Sequence, residues 1–556
     1  MSVTRRQALT VGGVGLVGAG LPTIPISGVN VRNHGAKGDW NPYTLVGTDD
    51  TEAIRAAVAA CPMGGTVFFP GTGPNRRYLI SGQIDITTPN IRILGAPRDA
   101  YATSVRCNTV NTMMFLVKTT GVVFQDIGIE GGGGAITGVE VWGDPDGNCD
   151  SRFEGVTLMR LLTGVRTRGR NNTFMGECIF SISTEGIVCD GPDSKYHTGG
   201  NAFTSMRGNK VINCRFHGNG SSRAHGNIRV TPAARVLSMQ IMDNEFDGNA
   251  VGTHIIAAGD TGYRVKNLIC HNNAHNMLKS EAYDFSYVDN AHIDGATMST
   301  SNAAVSRNGY LLDRCNFVTI TNGLANKLGM SGLKATNCTV LRVRDSTFNT
   351  VGLNTAFGYH GMDIDSSNSD VQIENVTVAN APGFGFVGSP LNSSMSGCVF
   401  IACKAGAFSS TTMTHRSSKG RNTFVEGSDG RKQDYATKSY DLTVAAGATR
   451  IATIRSTHAY SSFEVEVKVI GRNAAGNLYA SSVRYVRPEN GNPQYVTPVP
   501  DVVQGTISLA FTTSGVTGVA VSATVTGSDA FVTCHVTALA GGGFGANARG
   551  TTVTMS

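Results

Sequence analysis

The residues best suited to chemistry in this 556-residue chain are three carboxylates that alternate along one short segment. Asp243, Glu245 and Asp247 form the densest acidic patch in a chain with only 15% charged residues. On one face of a strand, alternate residues lie about 6.6–7 Å apart. Hydrolysis of a glycosidic bond with inversion uses two carboxyl groups roughly 6.5–9.5 Å apart, and hydrolysis with retention uses groups about 5–5.5 Å apart. The spacing therefore predicts Asp243 and Glu245 as a catalytic pair, although a pair on neighbouring strands would suit retention.

Polar residues stand at corresponding positions of two earlier segments. Arg215 and His217 match Glu245 and Asp247, and Glu177 matches Asp243. If Cys and Phe of each segment point inward, these side chains point outward beside the carboxylates. Arg215 could hold an acidic sugar through two parallel hydrogen bonds, and we expect Glu177, Arg215, His217 and Asp247 to bind substrate. The alternative is a solvated strand face whose ion pairs each contribute at most ~1 kcal/mol.

These segments belong to a repeat that runs from about residue 101 to residue 430. Its short strand-like units read E-C-I-F at 177–180, N-C-R-F at 213–216, R-C-N-F at 314–317 and G-C-V-F at 397–400. Residues 376–386 align with residues 398–408 at an offset of 22. Periods of 20–50 residues indicate solenoids, and strands separated by Gly- and Asn-rich turns predict one coil of a parallel β-helix per repeat.

The segment from Val29 to Ile86 predicts a short helix that begins near Asp50, followed by extended chain. It contains G-A-K-G-D at 35–39, D-D-T-E-A-I at 49–54 and F-F-P-G at 68–71. These motifs, in this order, resemble the N-terminal cap of the pectate-lyase superfamily, which holds polygalacturonase-like enzymes, rhamnogalacturonase-like domains and phage tailspikes. The resemblance implies an all-β chain: a right-handed single-stranded parallel β-helix with a short N-terminal capping helix. It also implies a polysaccharide ligand.

A second candidate pair is Asp363 and Asp365, in H-G-M-D-I-D at 360–365 followed by S-S-N at 366–368. This segment is similar to the polygalacturonase strand that carries a catalytic aspartate. The paired Asp-Asp, the Gly-His-Gly and the Arg-Ile-Lys of that family are missing. The resemblance therefore marks Asp363 and Asp365 as catalytic candidates without implying polygalacturonase activity, and turn formation is the alternative.

A third cluster joins Glu281 and Asp284 with Tyr283. An aromatic ring beside carboxylates suits the stacking of a sugar, so the three residues are candidates for substrate binding. The same pattern also suits a strand of the core.

Composition excludes several other functions. The 46 Lys and Arg against 40 Asp and Glu show no local concentration of the kind that binds nucleic acid. No apolar stretch reaches the roughly 18–20 residues of a membrane span. The 12 cysteines lack C-x-x-C spacing, so neither a zinc site nor a redox pair is indicated. We expect no metal and no cofactor.

Four regions follow from these patterns. Residues 1–28, with T-R-R-Q-A-L at 4–9, resemble a twin-arginine export leader or are a flexible N-terminus. Residues 29–100 form the cap and residues 101–430 the β-helix. Residues 431–556 alternate in polarity, which predicts an antiparallel β-sandwich similar to the terminal sandwich of phage tailspikes, for trimerisation or carbohydrate contact.

The leading hypothesis is a tailspike-like depolymerase, a homotrimer that binds and hydrolyses a bacterial capsule, exopolysaccharide or O-antigen, with phage tail proteins as partners on a virion. The first alternative is a pectinase-like glycosidase or lyase exported by the twin-arginine route. The second is a carbohydrate-binding adhesin without catalysis.

Overall fold

The computed structural model describes residues 28–403 except 74–75, 97–102, 192–204, 220–221, 223, 248–251, 301–306, 354–358 and 389, and beyond them the strands named below. The twin-arginine pattern lies outside the described residues.

The chain winds through three parallel sheets, and successive coils add one strand to each sheet, as in a right-handed parallel β-helix. Sheet 1 contains Gly28–Asn30, Thr66–Phe69, Arg92–Gly95, Val123–Gln125, Arg152–Glu154, Thr173–Met175, Asn209–Ile212, Met239–Met242, Val265–His271, Val288–Asp294, Asn316–Thr321, Thr339–Arg344, Gln372–Glu374 and Ser394–Ser396. Sheet 2 contains Tyr78–Ile80, Ser104–Cys107, Gly128–Gly131, Thr157–Met159, Ile179–Ser181, Arg215–His217, Glu245–Asp247, Ala274–Asn276, Thr297–Ser299, Leu324–Asn326, Thr347–Asn349, Thr377–Ala379, Val399–Ile401 and Thr423–Val425. Sheet 3 contains Ile84–Ile86, Met113–Val117, Thr137–Val141, Thr163–Thr167, Glu185–Cys189, Gly226–Val230, Thr253–Ala258, Tyr283–Ser286, Tyr310–Asp313, Leu333–Thr336, Met362–Ile364, Phe384–Val387 and Gly406–Ser409.

The corner between sheet 1 and sheet 2 is tight. From the coil of Val123–Gln125 onward, two residues join the strands, and three residues do so after Thr173–Met175. Each corner has a left-handed residue with φ between 48° and 65°, and the three-residue corner has a second residue with positive φ, Gly176 at 70°. Asn, Asp and Gly tolerate this conformation best. They hold nearly every such position: Asp126, Gly155, Glu177, Asn213, Asp243, Asn272, Gly295, Asn322, Asp345, Asn375 and Gly397. The Gly and Asn of the sequence are therefore partly a requirement of the corners.

The interior is filled by side chains that stack from coil to coil. In sheet 2, Phe180, Phe216 and Phe246 are fully buried, with ring centroids 4.7 and 4.9 Å apart. The expectation that the Cys and Phe of each repeat point inward is confirmed for these rings and for Cys178, which is also buried. It is wrong for Phe317, which is left-handed and 59% exposed on sheet 1, because a left-handed residue breaks the two-residue period there. Buried amides also stack from coil to coil at the corner between sheet 1 and sheet 2, which we call the first corner. There, Oδ1 of Asn273 accepts hydrogen bonds from the backbone N–H and the side-chain amide of Asn244 at 3.2 and 3.1 Å.

Glycines at the start of the sheet 3 strands leave room for this stack. A Cβ on Gly332 would lie 2.4 Å from Cδ1 of Phe348, and a Cβ on Gly186 would lie 2.9 Å from Cδ1 of Phe216. Such distances are too short for real carbon contacts, so the close approach of sheet 3 to the rings of sheet 2 requires glycine here.

The N-terminal cap contains one α-helix, Thr51–Ala60, and one 3₁₀ helix, Val31–His34. The carboxylate of Asp50 accepts hydrogen bonds from the backbone N–H groups of Lys37 and Gly38 at 2.6 and 2.9 Å. This links the G-A-K-G-D and D-D-T motifs directly. Strands of all three sheets already occur before residue 100, so the cap is continuous with the coils.

A second 3₁₀ helix, Pro232–Ala234, lies within the coils, between Gly226–Val230 and Met239–Met242. Beyond the coils, the chain forms two antiparallel sheets. One contains Tyr435–Val444, Ala530–Gly541, Ser462–Asn473, Gly476–Glu489 and Asn492–Val496, with Val502–Gln504 paired to Gly476–Glu489. The other contains Ile507–Thr513, Gly518–Val525, Gly447–Ser456 and Thr551–Met555. Alternate residues of Ser462–Asn473 are buried, as expected for a sheet with one covered face. Across the part of the chain that the structure describes, no helix is both long and apolar enough to span a membrane.

Candidate functional site

The structure divides the acidic patch between a corner and a strand. The strand is Glu245–Asp247, with Phe246 buried between two outward carboxylates. Asp243 is instead the left-handed corner residue before it, with φ of 56°, and Glu177 holds the same position of an earlier coil. The expectation that Asp243 and Glu245 alternate along one strand is therefore wrong, because a left-handed residue breaks the two-residue period. The residues that alternate on one outer face are Glu245 and Asp247.

Glu245 and Asp247 face the two outward residues of the preceding coil. The register pairs Arg215 with Glu245 and His217 with Asp247. Nε of Arg215 donates to Oε2 of Glu245 at 2.9 Å, and Nη2 of Arg215 lies 2.7 Å from the same oxygen. Nδ1 of His217 lies 3.3 Å from Oδ2 of Asp247. Two basic and two acidic side chains thus form a two-by-two array on the outer face of sheet 2, and we call these four residues the sheet 2 array.

The array combines exposed and buried atoms. The side chains of Arg215 and Glu245 are 59% and 41% exposed. Oδ1 of Asp247, in contrast, is buried and has no hydrogen-bond partner among the described residues. An oxygen in that state has lost water without a replacement, which costs about 1–3 kcal/mol.

The outer face of sheet 2 continues the array as a polar row. Ser181 precedes His217 in register, and Asn276 follows Asp247. The connections from sheet 2 to sheet 3 beside the array are longer than the first corner, at residues 218–225 and 248–252. Connections on a rigid scaffold are where binding residues concentrate, so this edge of sheet 2 is a candidate binding surface.

The second candidate pair does not form a site of two facing carboxylates. Asp363 lies outward on sheet 3, with its Oδ2 3.5 Å from Nζ of Lys334. Asp365 follows the strand, and its Oδ1 accepts hydrogen bonds from the backbone N–H of Ser367 at 3.0 Å and from Nδ2 of Asn368 at 2.9 Å. The alternative of turn formation therefore describes Asp365. Beside Asp363, burial lowers the pKa of His360.

The third cluster is split between the core and the outer face of sheet 3. Tyr283 is fully buried and stacks on Tyr310 at 5.4 Å. Glu281 is also fully buried, and its Oε2 accepts a hydrogen bond from Oγ of Ser280 at 2.7 Å. Only Asp284 lies half-exposed on the outside of its strand. The expectation that Glu281 and Tyr283 contact substrate is wrong in this structure, because neither reaches the surface.

Sequence reasoning missed a cationic cluster on sheet 2. The carboxylate of Glu130, 6% exposed, contacts Arg77 at 3.2 Å, Arg160 at 3.1 Å and also Arg106. Burial is the largest cause of the lowered pKa of Arg106, and the charges of Arg160 and Arg77 add to it. These residues are 24 to 83 positions apart in the sequence, so only the coil register, which pairs Arg106 with Glu130, could have revealed them.

Comparisons with known proteins find similarity to solved structures alone. No protein-family model matches the chain, and no curated protein matches it either. Among solved structures, tailspike protein 3 of bacteriophage CBA120 is 14% identical with a TM-score of 0.49, over 72% of this chain and 61% of that one. The A-module of mannuronan C-5 epimerase AlgE6 from Azotobacter vinelandii is 14% identical with a TM-score of 0.43, over 72% and 98%. The Dettilon tailspike protein is 10% identical with a TM-score of 0.41, over 92% and 94%. Similarity at this level does not bear on the reaction.

Proposed function

We propose that the protein binds a polysaccharide along the outer face of sheet 2 and cleaves it by hydrolysis, with Glu245 and Asp247 as the carboxyl pair. The observation that carries the proposal is the sheet 2 array, which is four ionisable side chains on two paired strands of a charge-poor chain. Successive coils stack about 4.8 Å apart. A polymer that runs along the coils therefore meets a regular row of polar side chains.

The carboxyl pair has the spacing of an inverting hydrolase. Glu245 and Asp247 alternate on one strand, so their positions are about 6.6–7 Å apart. Inversion needs roughly 6.5–9.5 Å so that a water molecule fits between one carboxyl group and the sugar. One of the two protonates the leaving oxygen, and the other removes a proton from that water. Arg215 and His217 hold the carboxyl groups in place until substrate binds.

The fold does not depend on these contacts. An exposed ion pair such as Arg215–Glu245 contributes at most ~1 kcal/mol, while the coils are held by backbone pairing and a stacked core. Neutral substitutions in the array should therefore change activity without unfolding the protein, which makes the site testable.

A second candidate reaction is β-elimination. His217 lies against Asp247, and an imidazole oriented by a carboxylate is a common general base. Arg215 would then neutralise the carboxylate of a uronate unit. The observation that favours this reaction is the proximity of a His–Asp pair and an Arg on one face.

Product analysis distinguishes the two reactions. The protein is incubated with a panel of capsular polysaccharides, exopolysaccharides and O-antigens, and both new reducing ends and ultraviolet absorbance of an unsaturated uronate are measured. Hydrolysis predicts reducing ends without that absorbance, and loss of cleavage in Glu245→Gln and in Asp247→Asn. Elimination predicts the absorbance and loss of cleavage in His217→Gln. Binding without any shortening of the polymer would contradict both reactions and would leave an adhesin.

We further propose that the protein is a homotrimer and that it is either part of a phage tail or exported from a cell. The two C-terminal antiparallel sheets would then serve in assembly or contact the carbohydrate. Light scattering of the full chain tests the first part, because a trimer has three times the 58.3 kDa mass of the chain.

A further inference from the structure

The corner between sheet 2 and sheet 3 contains residues that its backbone does not favour. Its left-handed positions, with φ between 51° and 65°, are held in the described coils by Arg160, Ile182, Gly218, Met277, Lys327, Thr350, Asn380 and Ala402. At the first corner almost every such position is Asn, Asp or Gly. The backbone conformation is the same at both corners. Conformation alone therefore does not explain the residue types at the corner between sheet 2 and sheet 3.

Ile182 is the clearest case. It is β-branched and left-handed, with φ of 51°, and this combination is a genuine outlier. Burial does not compensate for the strain, because Ile182 is 61% exposed. Strain that packing does not explain is most often found at ligand sites.

Ile182 lies beside the sheet 2 array. Its backbone N–H donates to the carbonyl oxygen of His217 at 2.9 Å, and Gly218, one coil further, donates in the same way to Asp247 at 3.0 Å. One coil in the other direction, the N–H of Arg160 donates to the carbonyl oxygen of Ser181 at 3.1 Å. Arg160, Ile182 and Gly218 therefore form a row along the edge of sheet 2, and Arg160 is about 10 Å from the level of His217.

Arg160 brings positive charge to the end of this row. Its side chain is 54% exposed, and its one ion pair among the described residues is Nη1 to Oε1 of Glu130. Arg106 contacts the same oxygen. Two guanidinium groups thus share one carboxylate oxygen, and each guanidinium carries five N–H donors. The remaining donors of Arg160 can hold a carboxylate, sulfate or phosphate group.

We propose that Arg160 and Ile182 form a subsite beside the sheet 2 array, in which Ile182 supports the apolar face of a sugar ring of a bound polymer and Arg160 binds an anionic substituent of that polymer. This inference rests on the proposed function, because it assigns the substrate as an acidic polysaccharide that extends from the sheet 2 array towards the N-terminal coils.

Binding is measured by electrophoresis of the full chain through gels that contain either polygalacturonate or dextran, in a Glu245→Gln/Asp247→Asn background that does not cleave. We expect tighter binding to polygalacturonate than to dextran. Arg160→Gln should weaken binding to polygalacturonate about tenfold, since one charge-assisted hydrogen-bonded contact is lost. Arg342→Gln removes an exposed cation from the outer face of sheet 1 and should leave binding unchanged.

Ile182→Asn provides a readout that a structural role would not give. Asn holds the same kind of position at Asn380, so the substitution relieves strain and should raise the thermal midpoint. Affinity for polygalacturonate should nevertheless fall at least threefold. A variant that is more stable and binds equally well would overturn the role of Ile182.

The two proposals fail in different ways. Equal binding to both polymers, or equal effects of Arg160→Gln and Arg342→Gln, would overturn the subsite even if cleavage needs Glu245 and Asp247. Cleavage that is independent of Glu245 and Asp247 would overturn the proposed function, whatever Arg160→Gln does to binding.

Discussion

Two histidines inside the coils should make the protein sensitive to acid. His254 and His275 are fully buried, their Nδ1 atoms are 3.0 Å apart, and His275 stacks on Phe246 at 4.8 Å. Burial lowers the pKa of His254 from 6.5 to about 3. Burial and the charge of His254 lower the pKa of His275 in the same direction.

The sign and size of the effect follow from proton linkage. Below pH 6.5 the unfolded chain takes up a proton at His254, and the folded chain does not do so until about pH 3. The stabilisation that His254 contributes as a neutral group is therefore complete above pH 6.5. As the pH decreases from 6.5 towards about 3, the free energy of unfolding falls by about 1.4 kcal/mol per pH unit. Between pH 6.5 and about pH 5, His254 alone accounts for a loss of about 2 kcal/mol, and His275 adds to it.

Urea unfolding at a series of pH values measures this loss. The variant His254→Leu/His275→Phe should lack it, because neither side chain can then take up a proton, and Phe at 275 would continue the Phe180–Phe216–Phe246 stack. His34→Gln, at an exposed histidine, is the control and should behave as wild type. An unchanged pH slope in the double variant would refute the reasoning.

Two further substitutions test the packing of the coils. Gly332→Ala should lower the free energy of unfolding by about 1–3 kcal/mol, because its Cβ would overlap Phe348. Gly262→Ala is the control and should have a smaller effect, because the nearest atom to its Cβ is 3.5 Å away. Equal losses in the two variants would contradict the close approach of sheet 3 to Phe348. Asn273→Leu should cost about 1–3 kcal/mol, because Asn244 is left with unpaired buried amide groups, and an unchanged urea midpoint would show that the amide stack does not contribute.

The coil architecture could be predicted from sequence because its signals are local and repeated. A Phe two residues after a Cys is buried at Phe180, Phe216 and Phe400, although Phe317 is 59% exposed, and the N-terminal motifs resemble a known cap. The helix was placed within one residue of Thr51–Ala60, since apolar spacing and an Asp before it are local as well.

The candidate site could be predicted only in part. Strand alternation identified Arg215, His217, Glu245 and Asp247 as one outer surface, which the register confirms. It extended the strand two residues too far and included Asp243, because the conformation of a corner residue depends on the coils above and below it. Arg160 gave no sequence signal, since its partner Glu130 is 30 residues away and its exposed position is fixed by the corner.

The most direct test of the central claim compares two pairs of carboxylates of the same kind. Glu374 pairs with Arg344 at 3.1 Å and Asp294 with His271 at 3.0 Å on the outer face of sheet 1, as Glu245 and Asp247 pair with Arg215 and His217 on sheet 2. The chain length of a polysaccharide that wild type degrades is measured after incubation with Glu245→Gln/Asp247→Asn and with Asp294→Asn/Glu374→Gln. We predict that the first variant leaves the polymer intact and that the second degrades it like wild type. Equal degradation by the two variants, or loss of degradation only in the sheet 1 variant, would contradict the assignment of the site to sheet 2.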